Sequence, residues 1–190
     1  MYFNPDEINV TYESGTVSIE LSSSNPNRDI YVDSHSFVFG DNPLLAERYY
    51  ALCEKFGDIK SDGFVCYDPS YSIYPFACFE IINSVSIISN NDWDTEHPAG
   101  SLLNDMFTIT YYTHYPYIIN GYTGEHITEV TKPLSELQDD EMKLIQYFIH
   151  LSCTIPSTAA QHHTLTVSFD LDTDRTATYY VELDFAATEA

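Results

Sequence analysis

Cationic side chains are scarce in this chain. It holds 7 Lys and Arg against 29 Asp and Glu, a formal charge of -22. Charged residues of both signs make up 19% of it, below the roughly 25% usual in globular proteins, so the imbalance is a shortage of bases. That shortage argues against nucleic-acid binding, which needs clustered cations to displace counterions from phosphates, and against docking on anionic lipid.

Long apolar runs are also missing. None approaches the roughly 18 residues of a membrane-crossing helix, and the amino terminus lacks the basic-then-apolar order of a signal peptide. The chain then reads either as cytosolic or as the mature part of an exported protein, with residues 1–7 a linker or truncation scar. Glycine is sparse, at 7 residues, and forms neither a phosphate-cradling loop nor a Gly-x-Ser-x-Gly elbow. No Cys-x-x-Cys pair and no His-Glu-x-x-His pattern occurs, so neither a structural nor a catalytic zinc site is expected; no metal ligand is assigned elsewhere in the chain, and no cofactor is expected. Cys53, Cys66, Cys78 and Cys153 allow three complete pairings in an exported protein; the competing reading makes most of them buried thiols acting as small apolar groups.

What the chain does hold is residues that suit a pleated, half-buried surface. Sixteen Tyr and 11 Phe accompany many Ser, Thr, Ile and Val. Ile8, Val10 and Tyr12 alternate with polar neighbours, as do Val17, Ile19 and Leu21 beyond Gly15, which predicts a hairpin. Ile30 to Phe39 predicts a further strand or a broken pair, and Tyr71 to Ser89 is β-like with a break at Pro75. Met106 to Tyr112 predicts another strand. Tyr115 to Gly121 then carries a kink and a turn, and Thr123 to Gln138 reads as a polar crossing between sheets.

A short helical turn near Ser135 to Met142 precedes a strand from Ile145 to Cys153. The last unit, Leu165 to Leu171 and Ala177 to Phe185 around Asp172 to Arg175, is a long hairpin. One helix stands out: Leu45, Tyr49, Leu52, Cys53 and Phe56 share a helical face, with Asp41 or Asn42 to cap it, Pro43 in its first turn and Gly57 at its exit. Arg48, Lys55 and Lys60 put a small cationic face there, whose expected use is pairing with carboxylates. The fold expected is a single all-β domain over residues 1–190: a two-sheet antiparallel sandwich, immunoglobulin-like or transthyretin-like, with one short helix.

The polar stretch Asn90 to Gly100 carries the only tryptophan, Trp93, together with Asp92, Asp94, Glu96 and His97. These five are the candidate ligand-binding residues, on the expectation that the loop lies in water. Trp93, with Tyr115 and Tyr117, would stack a sugar ring, and Asp92, Asp94 or Glu96 could hydrolyse a glycoside if folding set two of them at the required separation. No catalytic residue is assigned, because no nucleophile accompanies Glu96 and His97.

Asp170, Asp172 and Asp174 resemble the start of a calcium loop. Arg175 and Val181 stand where that loop needs glycine and a bidentate Glu, so the motif fails, and the three are expected to share one solvent face. Adjacent His162 and His163 are expected on opposite faces of a strand.

The segment Ser86 to Phe107, SIISNNDWDTEHPAGSLLNDMF, resembles a group of uncharacterised secreted lipoproteins of Bacteroidetes, in which a strand leads into an Asp-rich loop, a His-Pro-Ala-Gly-type turn and a Leu-Asn-Asp segment. Pro156 to Phe185, with His163 before a Thr-Val strand and a closing hairpin, is similar to them as well. The resemblance implies a β-rich exported protein held at the cell surface or outer membrane by a lipid on an upstream cysteine, with the periplasm as second choice. It brings no activity and no site residue, and the helix Asn42 to Phe56 has no counterpart in it. The expected function is a non-enzymatic surface domain for binding or assembly, with a glycan or a cell-surface protein as partner and Asn90 to Gly100 as the contact. A carbohydrate-active module is the alternative.

Overall fold

The computed structural model describes residues 2–3, 7–13, 16–22, 43–58, 77–78, 80–159 and 162–184. The strands expected at Ile30 to Phe39 and Tyr71 to Pro75, the capping residues Asp41 and Asn42, Lys60 and Cys66 lie outside them. The architecture is a two-sheet antiparallel sandwich. One sheet has three strands in the order β10 (Thr176–Asp184), β9 (His162–Leu171), β5 (Ile82–Ser89). The other has five, in the order β2 (Glu7–Glu13), β3 (Thr16–Ser22), β8 (Ile145–Cys153), β6 (Phe107–Thr113), β7 (Thr128–Pro133). Within the stretch expected as a linker, β1 (Tyr2–Phe3) pairs in parallel with β4 (Ala77–Cys78) and Glu7 opens β2.

Period-two patterning decides which residues enter the core. His163, Leu165, Val167, Phe169 and Leu171 point inward from β9, and Val181 and Leu183 from β10. All but His163 meet Phe107, Ile109 and Tyr111 of β6 and Ile149 and Leu151 of β8 in one hydrophobic cluster. In β5 the register slips between Ile82 and Ser84, so Asn83 is accommodated as an irregularity and Ile82, Val85 and Ile87 all face inward.

Both predicted hairpins form: Ile8 stands opposite Leu21 in one, and Val167 opposite Tyr179 in the other. The helix forms as α1 (Pro43–Phe56), with Leu52, Cys53 and Phe56 buried and Gly57 leaving at a φ of 69°. Lys55 pairs with Asp172 at 2.5 Å, the carboxylate pairing expected of that face. Cys78 and Cys153 hold free thiols, and burial pushes the Cys78 thiol up to about 12.

Two local expectations change. Thr128–Pro133, read as a polar crossing, is the edge strand β7, paired antiparallel with β6. A strand with one open side and one solvated face needs few apolar residues, which is why it looked like a loop. Tyr115 to Gly121 winds into a one-turn helix, α2 (Tyr115–Ile119), with Pro116 at its start, where a proline lacks no needed donor.

Two of the crossings between the sheets lie at one end of the sandwich. The chain leaves β5 after Ser89 and enters β6 at Phe107; it leaves β8 after Cys153 and returns to β9 at His162. Phe107 is opposite Cys153 and Ser89 opposite Leu165, so the two crossings run side by side.

Candidate functional site

Residues 90–103 form an arch over that end of the sandwich. Its feet are backbone bonds: Gly100 N–H donates to the Ser89 carbonyl at 2.8 Å, and Leu103 N–H to Ile87 at 2.8 Å. Asn104 then covers the open edge of β5 with its side chain, which accepts from Ile87 N–H at 3.1 Å and donates to the Val85 carbonyl at 2.8 Å.

Trp93 does not stand in water. It is 0% exposed, with its ring centroid 5.9 Å from Phe107 on one sheet and 4.8 Å from His163 on the other. Its Nε1–H donates to the Ile155 carbonyl at 2.9 Å, and its carbonyl accepts from Ser157 Oγ at 2.8 Å and from Thr158 N–H at 2.9 Å. The ring plugs the gap between the sheets, and the polar ends tie one crossing to the other. The expectation of an exposed stacking tryptophan is thereby corrected. A single aromatic in a polar loop has no apolar neighbour in sequence, but the arch brings it over the open core, where burial of so large a ring outweighs the loop's polarity.

The carboxylates around it shape the arch. Asp94 Oδ1 accepts from the N–H groups of Glu96 and His97, each at 2.8 Å, and from His97 Nδ1 at 2.8 Å. This is an Asx-type turn reinforced by a ring contact. Asp92 Oδ1 accepts from Ala99 N–H at 2.8 Å, while Glu96 is exposed. His97 Nε2 lies 3.2 Å from Asp105 Oδ2. The hydrogen bond with His97 holds the Asp94 carboxyl below its ordinary value, and the same bond, with Asp105 nearby, holds His97 above its own. Of the five predicted residues, Asp94 and His97 are thus joined, Asp92 serves the turn, Glu96 faces solvent and Trp93 belongs to the core.

The other sequence candidates are dispersed. Asp170 accepts from Ser84 Oγ and Thr176 Oγ1 on the outer face of the small sheet, which lowers its carboxyl. Asp172 turns instead to Ile81 N–H and Lys55, and Asp174 sits in the hairpin turn at a φ of 57°. The three therefore do not share one solvent face, because β9 ends at Leu171 and the turn redirects the chain. Among the described residues no group of three or more His, Cys, Asp or Glu is placed to hold a metal ion. His162 is exposed and His163 buried, as alternation required. Tyr115 and Tyr117 are half-buried, Tyr117 stacking on His126 with centroids 4.4 Å apart.

Sequence reasoning passed over the outer face of the three-stranded sheet. Ser86, Ser168 and Thr178 stand abreast across it, and the next row is Ile88, Thr166 and Tyr180. Tyr180 is 73% exposed, the most open of the large apolar and aromatic side chains described. Parity could have found it: in a strand whose Ala177, Tyr179, Val181 and Leu183 point inward, Tyr180 must point out.

No family model matches the chain, and neither a curated protein nor a solved structure matches it. Among the described residues no helix is long and apolar enough to cross a membrane.

Proposed function

We propose that this chain is a non-enzymatic, exported domain for binding or assembly at a cell surface, anchored through a lipid upstream. The observation that supports the reading is the row Ile88–Thr166–Tyr180, exposed at Ile88 and Tyr180 and bordered by the hydroxyl row Ser86–Ser168–Thr178. A sheet face that keeps an aromatic ring in water, on a fold whose only tryptophan is spent on its core, has the composition of a contact surface. The contact thereby moves from the Trp93 arch to the face that carries Tyr180.

The same observation favours a second reading, glycan binding. A solvent-facing phenol beside aligned hydroxyls offers a stacking surface for a sugar ring and hydrogen bonds for its edges. A glycan array probed with the wild-type chain and with Tyr180→Ala separates the two. A hit lost in the variant, with the melting temperature unchanged, supports the glycan. On a blank array, a photo-crosslinking residue at position 180 in the full-length protein on living cells is expected to capture a protein partner. No adduct in that experiment overturns the binding face. Protease treatment of intact cells tests export: a surface domain is shaved off, and a protected one counts against the localisation.

A further inference from the structure

His97 is clamped at both ring nitrogens. Nδ1 lies 2.8 Å from Asp94 Oδ1 and Nε2 lies 3.2 Å from Asp105 Oδ2. An ionised carboxylate only accepts, so serving one at each ring nitrogen takes a proton on both, which is the imidazolium form. Its backbone is wired to the core plug: the His97 N–H donates to Asp94 Oδ1 at 2.8 Å, and the His97 carbonyl accepts from Trp93 N–H at 2.8 Å.

We propose that His97 is a pH-sensitive latch on the arch that closes this end of the sandwich. Charged, it draws Asp94 of the arch and Asp105 of the following 3-10 turn together. Neutral, it has a single N–H and serves one of them, so the arch loosens while the two sheets stay folded.

The charged groups around the ring are few. Asp94 and Glu96 lie beside it in the arch, where Asp92 is turned to Ala99 N–H, and Asp105 comes from the 3-10 turn Asn104–Met106. The return crossing, residues 154–159, brings Thr, Ile, Pro, Ser, Thr and Ala, none of which titrates in this range. From β9, His163 meets Trp93. Among the described residues the ionisable groups these contacts bring to the ring are carboxylates, which favour its charged form, in line with the raised His97 and lowered Asp94 values. A histidine raised in the folded state contributes fully below its ordinary value of 6.5 and loses that contribution as pH rises through the raised one. The latch is therefore shut in mild acid and opens toward alkaline pH. The inference stands on the arch alone and is independent of the binding face proposed above.

The test is an NMR titration of the whole chain from about pH 5 to about pH 9, following the His97 ring nitrogens and the exchange of the Glu96 and His97 amides. After correction for intrinsic exchange, protection of these amides is expected to fall in step with loss of the ring proton, with the β5 and β9 amides unmoved. His97→Gln is expected to abolish the step and to show the high-pH protection throughout. Asp105→Asn is expected to shift it to lower pH. Protection that stays flat while His97 deprotonates, a ring already neutral at the acid end, or a step that survives in His97→Gln overturns the latch. Should a variant fail to fold, the wild-type titration decides by itself. Trp93 fluorescence serves only as a second signal, because His163 also touches the indole.

Discussion

Ser89 Oγ lies 2.7 Å from Nδ1 of His163; both residues are buried, and the His163 ring lies against Trp93 with centroids 4.8 Å apart. Ser89 Oγ also accepts from Asn91 N–H at 3.1 Å, so the one hydroxyl serves both the backbone of the arch and the imidazole. In a cleft, a serine bonded to a histidine is half of a nucleophilic pair. Buried as they are, the two instead satisfy each other's polarity in an apolar interior.

Trp93→Ala is expected to cost about 3–5 kcal/mol, the range for removing a fully buried large aromatic. Trp93→Phe keeps most of the apolar bulk and gives up the Nε1–H bond to Ile155, so its loss is smaller. Urea unfolding followed by circular dichroism measures both. A loss under about 1 kcal/mol for the alanine variant would mean that the ring does not fill the core.

Asn104→Ala removes two side-chain bonds to β5, one donated and one accepted. We expect a loss of about 1–3 kcal/mol from groups left without their partner. The uncovered edge should also associate, because an unprotected strand is a template for another chain. Size-exclusion chromatography at several concentrations reads the second effect, and a variant that stays monomeric refutes the edge-covering role.

Glu80, only 4% exposed, accepts from Thr173 Oγ1 at 2.8 Å and from Arg175 Nη2 at 2.5 Å, which pins the hairpin turn to the start of β5. Arg175→Ala strands the buried carboxylate beside a single hydroxyl and is expected to cost about 1–3 kcal/mol, the partial exposure of the arginine holding it below the range for fully buried pairs. The double variant Glu80→Leu with Arg175→Met is expected to lose less than Arg175→Ala, since it leaves no buried charge. Chemical denaturation of the three proteins decides; a double variant that is the least stable contradicts the argument.

The dependence on pH has two flanks. Asp94, Asp170 and Glu141 are lowered, by His97, by the Thr176 and Ser84 hydroxyls, and by Lys132 respectively. Their contributions are complete above the ordinary carboxylate values of 3.8 and 4.5 and are lost as pH falls through the lowered ones. His97 and His162 are raised, by Asp94 and by Asp184, so theirs are complete below 6.5 and fade as pH climbs through the raised values. Thermal unfolding across pH should show its plateau between 4.5 and 6.5, and a maximum well above 7 would contradict these assignments.

Alternation along the chain was enough to determine that this protein is an antiparallel sandwich, to mark the helix that ends at Phe56 and the hairpin after His162, and to place His162 and His163 on opposite faces. These are properties of neighbouring residues, and period two or period 3.6 is written locally. Tertiary structure alone decided the fate of Trp93, the division of labour among Asp92, Asp94 and Glu96, and the placing of Tyr180 in one row with Ile88. Each depends on segments far apart in sequence arriving at one end or one face: the ring is buried only because β6, β9 and the return crossing surround it, a juxtaposition that no window of adjacent residues records.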